Sequence, residues 1–102
     1  MPVKKNLPPL PVRRSLKKFG HDIKNARLRR NIPMSLLAER AGISLSTLTA
    51  IQKGSASVNI GAYAAVLYGL GFGLPLENII DIRNDIQGLI FEEDKLPQRI
   101  RG

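Results

Sequence analysis

The stretch PMSLLAERAGISLSTLTAIQKG, residues 33–54, reads as two short helices joined by a tight turn. Leu37, Ala38 and Ala41 stand at i, i+1 and i+4, on one helical face. Gly42 follows at once, and glycine most readily takes the positive φ that ends a helix and turns the chain. Ile43 is apolar inside the turn, where an exposed loop is usually polar, so it reads as a plug tying the two helices together. Ser44 is a good N-cap for the second helix. Leu48 and Ile51 give that helix an inner face, and Gly54 ends it. The small Ala38 lets the two helices cross closely. Such a pattern also suits an ordinary helical hairpin, but the apolar plug and the basic setting favour a helix-turn-helix.

The remaining positions of the second helix, Leu45, Ser46, Thr47, Thr49, Ala50, Gln52 and Lys53, point outward. Most are small or polar and only Lys53 is charged, which suits a surface that enters the major groove of DNA. The charge distribution agrees. The chain carries a formal +8, and residues 1–54 hold 12 Lys and Arg against 2 acids, while residues 55–102 hold 4 against 6. A positive field on one half favours a polyanion such as nucleic acid.

The segment resembles the XRE family of Cro-type, repressor-like regulators, over about residues 16–73. Residues Leu37 to Ser44, LAERAGIS, stand where that family has an LAxxxGxS pattern, and Ile51-Gln52-Lys53-Gly54 stands at the end of its recognition helix. The resemblance implies an all-α, five-helix repressor-like domain. It places base contacts on Leu45, Ser46 and Ala50, with Thr47 and Thr49 alongside. Leu45 and Ala50 cannot form bidentate hydrogen bonds but can meet a thymine methyl, so the reading head carries little sequence information by direct contact. Ser35, Ser44 and Lys53 complete the expected DNA-binding set, with Ser35 and the neighbouring helix-start amides positioned for a phosphate. The family pairs an arginine at the position of Arg27 with a glutamate at that of Gln52. Here that ion pair is reduced to a charge-assisted hydrogen bond.

Around this segment the chain divides into three parts. Residues 1–14 hold four prolines and four basic residues and are expected to be an extended arm. Residues 15–80 form the domain. Its first helix is expected from Ser15 or Leu16 to Arg30, with Leu16, Phe19, Ile23 and Ala26 as its buried stripe. Asn59 is placed to cap a helix over about 60–70, with Ile60, Tyr63, Leu67 and Leu70 as the inner stripe. Leu76, Ile79, Ile80 and Ile82 suggest one more short helix. Residues 60–76 carry no charge, yet glycines and Pro75 leave a helix too short to span a bilayer. Residues 81–102 form a tail in which Leu89-Ile90-Phe91 reads as a short β-strand that needs a partner, supplied by a second subunit. Glu92-Glu93-Asp94 follows as an acidic patch.

That tail is similar to the tail of HipB-type antitoxins, a branch of the same superfamily. This resemblance implies a homodimer on an inverted-repeat operator, autoregulation of a toxin–antitoxin operon, a HipA-like kinase toxin as partner and a cytoplasmic setting. An alternative function is a protein-interaction module that mainly restrains the kinase, with DNA binding secondary. No catalytic residue, cofactor or metal is expected. The chain has no cysteine, and its single histidine, His21, reads as a solvent-facing helix residue.

Overall fold

The computed structural model describes residues 7–101, with side chains through Lys95. Among the described residues the chain is all-helical. The helices are α1 Leu10–Arg29, α2 Met34–Ala41, α3 Leu45–Gln52, α4 Ile60–Gly69, α5 Leu76–Ile79 and α6 Ile86–Arg101, with a 3₁₀ turn at Ile82–Asn84 before α6. Among the described residues no helix is long and apolar enough to cross a membrane.

The core is built where α1 to α4 converge. Leu37, Leu48, Ile51 and Val66 are fully enclosed, and Ile23, Ala26, Ala38, Tyr63 and Leu70 surround them. Ile43 packs against this cluster from the α2–α3 turn, as its apolar character predicted. Phe19 stacks on Tyr63 with ring centres 5.6 Å apart, tying α1 to α4. Burial of a Leu- or Ile-sized side chain stabilises the fold by about 1.5–3 kcal/mol, so these four enclosed residues are its main anchors.

Local chemistry explains the element boundaries. Gly42 takes φ 67° and ends α2, with the Gly42 and Ile43 amides donating back to Glu39 and Ala38 carbonyls. Ser44 Oγ accepts the Thr47 amide at 3.1 Å and starts α3. Asn59 Oδ1 accepts the Ala62 amide at 2.8 Å and starts α4.

Three expectations require correction. The first concerns the N-terminal arm. Residues 10–14 are helical rather than extended, and α1 begins at Leu10, well ahead of Ser15. Pro9 is the N-cap and Pro11 falls in the first turn, where a missing N–H forfeits no intrahelical bond. Ser15 caps nothing; its hydroxyl donates to the Val12 carbonyl within the helix at 2.8 Å. Residues 1–6 of the expected arm lie outside the described residues. The second correction concerns α4. Its inner residues are Tyr63, Val66 and Leu70, and this turns Ile60 to the rim, where it is 69% exposed.

The third correction concerns the tail. Leu89-Ile90-Phe91 is not a strand but lies within α6. Asp85 Oδ1 accepts the Gly88 amide at 2.9 Å and the Asp85 carbonyl accepts the Leu89 amide, so Asp85 acts as a helix cap. Glu92, Glu93 and Lys95 are strong helix formers that carry the helix onward. Closure of backbone hydrogen bonds within one segment removes the need for a partner strand.

Candidate nucleic-acid interface

The α3 helix is fixed to the rest of the domain along two seams. The first is polar. Arg27 of α1 is 9% exposed; its Nε donates to Gln52 Oε1 at 2.9 Å and its Nη1 donates to the Ile32 carbonyl at 3.0 Å. Gln52 Nε2 in turn donates to the Met34 sulfur at 3.2 Å. One guanidinium therefore links α1, the α1–α2 connection and the end of α3, and through Gln52 it reaches the start of α2. The charge-assisted bond expected from the Arg27–Gln52 combination is present.

The second seam is a close backbone approach. A Cβ on Gly20 would meet the Ile51 carbonyl and would lie 2.6 Å from the Gly54 amide and 2.9 Å from the Gln52 carbonyl carbon. A Cβ on Gly54, which takes φ 75°, would meet the Leu16 carbonyl and lie 2.6 Å from Lys17 Cα. Only two glycines allow α1 and the α3 terminus to meet this closely. Tyr63 closes the far side of the loop after α3, its hydroxyl donating to the Ser55 carbonyl at 2.6 Å. Burial pushes the Tyr63 phenol above its ordinary value.

Held in this way, α3 buries Leu48 and Ile51 and presents its opposite side to solvent. At 100° per residue that outer side is centred on Ser46, Thr49 and Lys53, all exposed. Leu45 lies at one flank, 53% exposed. Thr47 and Ala50 are half-buried beside the outer face. Ser35 is exposed at the start of α2. Pro33, the N-cap there, provides no side-chain cap, so the first amides of α2 are left to outside acceptors.

The hydroxyls of α3 are partly committed to one another. Ser44 Oγ takes the Thr47 amide, donates to Thr47 Oγ1 at 2.9 Å and lies 3.0 Å from Ser46 Oγ. Ser44 is therefore a structural cap rather than a group held out for a ligand. Thr49 Oγ1 donates to the Leu45 carbonyl at 2.9 Å and keeps its lone pairs as acceptors. Ser46, Thr49 and Lys53 remain the polar groups best placed to meet another molecule.

The backbone of Lys17 lies against Gly54 at the end of α3. The sequence signal was Gly20, a glycine inside a helical pattern, which marks a close approach one turn from Lys17. The α3 segment and its end thus carry one cation, Lys53, with a small, polar outer face and no acidic side chain.

No protein-family model, curated protein or solved structure matched the chain.

Proposed function

We propose that the chain is a sequence-specific DNA-binding regulator with α2 and α3 as a helix-turn-helix and α3 as its recognition helix. The observation that carries this reading is the outer face of α3: small, polar and exposed at Ser46 and Thr49, with Lys53 at its end, and held rigidly by the Arg27 network and the Gly20–Gly54 approach. A face without bulky side chains fits against base edges in the major groove, while Lys53 and the open amides at Ser35 hold phosphates. The limited hydrogen-bonding repertoire of Leu45 and Ala50 makes DNA shape and half-site spacing substantial contributors to specificity. A two-fold dimer then reads an inverted repeat with half-sites one helical turn, or a multiple of it, apart.

The test separates reading from attraction. Thr49→Asp places a carboxylate on the outer face and abolishes preference for the operator over unrelated DNA. Lys53→Ala leaves the preference intact and reduces the salt slope of binding by about one. Thr49→Asp with undiminished operator preference contradicts the assignment of α3.

An antitoxin role, with a HipA-type kinase as partner, is a second proposal carried by the sequence of the tail. Its test is association of the purified chain with the kinase encoded beside it. Truncation after residue 80 should abolish that association, and unchanged binding by the truncated chain would contradict it.

A further inference from the structure

The hydrogen-bond relay that holds the end of α3 terminates on a sulfur. Arg27 Nε donates to Gln52 Oε1 at 2.9 Å, and Gln52 Nε2 donates to Met34 Sδ at 3.2 Å. Met34 is the first residue of α2, half-buried and packed against the core. Its thioether is thus both the last acceptor of the relay and open in part to solvent. It is also chemically alone. The sequence holds no cysteine, no tryptophan and two methionines, of which only Met34 lies among the described residues. A hydroperoxide that attacks sulfur therefore meets no competing thiol.

Oxidation there changes the acceptor. The hydroperoxide transfers one oxygen atom: a sulfur lone pair forms the S–O bond as the O–O bond breaks, the sulfur is oxidised, and the rest of the peroxide is reduced and leaves as water. The sulfoxide is polar, with negative charge on its oxygen and positive charge on its sulfur, which becomes a poor acceptor. Gln52 Nε2 then loses its acceptor or moves to follow the new oxygen. A carboxamide is planar and moves as a unit, so a shift of Nε2 also draws Oε1 away from Arg27. Arg27 is buried, and a buried guanidinium that loses an acceptor destabilises the fold. A polar oxygen set against the apolar core adds to the loss.

We propose that Met34 is an oxidation site at which a hydroperoxide releases the end of α3 from the Arg27–Gln52 seam and lowers DNA affinity, and from which sulfoxide reduction restores both. The effect on DNA rests on the reading of α3 as a recognition helix. The loosening of the seam does not, and it is measured without DNA.

The full chain is treated with hydrogen peroxide, and peptide mass spectrometry locates the added oxygen. Urea unfolding should then give a folding equilibrium constant lower by about tenfold, the scale of one lost hydrogen bond, and the side-chain amide resonances of Gln52 should shift. Affinity for the DNA upstream of the gene should fall by about tenfold as well. Methionine sulfoxide reductases acting on both epimers should reverse all three changes. Met34→Leu nearly preserves volume and has no sulfur, so peroxide should alter none of these readings, although Met1 is common to both chains. Absence of operator preference in the reduced chain would sink the recognition-helix reading, and the unfolding and resonance data would still decide the Met34 site. The proposal is overturned if Met34 stays a thioether while free methionine in the same solution is oxidised. It is overturned equally by an oxidised wild type with unchanged unfolding and Gln52 resonances, by one that binds the operator as tightly as the reduced chain, or by a Met34→Leu chain that responds as the wild type does.

Discussion

Replacing Gly20 by alanine reverses the usual sign of a glycine substitution inside a helix. In an open helix interior that change stabilises by about 0.5–1 kcal/mol, because alanine loses less backbone entropy on folding. At Gly20 the new methyl meets the Ile51 carbonyl, the Gly54 amide at 2.6 Å and the Gln52 carbonyl carbon at 2.9 Å. All three are backbone atoms, which cannot swing aside as the end of a side chain does. Overpacking of this kind costs about 1–3 kcal/mol. The difference leaves Gly20→Ala less stable by about 1–2 kcal/mol, which for a domain of this size lowers Tm by roughly 5–15 °C. Gly61→Ala in α4 is the control. Its methyl meets only the Asn59 side chain, at 3.2 Å, and the variant should be neutral or up to about 1 kcal/mol more stable. Both are read by urea unfolding followed by circular dichroism. Gly20→Ala as stable as wild type would refute the close approach of α1 to the end of α3.

Other substitutions test the remaining supports of α3. Arg27→Met leaves the Ile32 carbonyl and Gln52 Oε1 without their donor, and unfolding by urea should show a loss of about 3 kcal/mol; Arg27→Lys, which keeps the charge but not both contacts, should lose less. Tyr63 gives a pH signature. Its phenol is held above its ordinary value of 10.0, so its contribution is complete below that pH and is lost as pH rises through the higher folded-state value. Thermal melts should therefore show an alkaline fall in Tm that shrinks in Tyr63→Phe, and that variant should also lose about 1 kcal/mol at neutral pH with the hydrogen bond to Ser55.

The sequence is legible where the signal is local and chemically specific. Gly42, Ser44 and Asn59 each mark a boundary through a single backbone demand, and all three do so in the structure. The Arg27–Gln52 bond was implied by the family resemblance rather than by any local pattern, and a buried arginine's need for acceptors accounts for its presence. Prolines misled at the start of α1, since their effect depends on register: Pro11 in the first turn forfeits nothing, whereas deeper in the helix it would break it. Leu89-Ile90-Phe91 misled because three consecutive apolar residues fit a strand or a helix equally well, and the deciding cap, Asp85, lies outside the run. The Gly20–Gly54 approach is a tertiary contact between residues 34 positions apart, and no local pattern specifies which backbone a glycine will meet.

The central claim is that α3 reads DNA sequence rather than merely attracting DNA. The most direct measurement is a titration of the full chain against the DNA upstream of its own gene and against a scrambled duplex of equal length, each at low and at physiological salt. A chain of net charge +8 binds any duplex at low salt, and that binding weakens steeply as salt rises. The account predicts that binding to the upstream DNA persists at physiological salt, that the scrambled duplex is lost, and that Thr49→Asp removes the difference. Equal, salt-labile binding to both duplexes would contradict it.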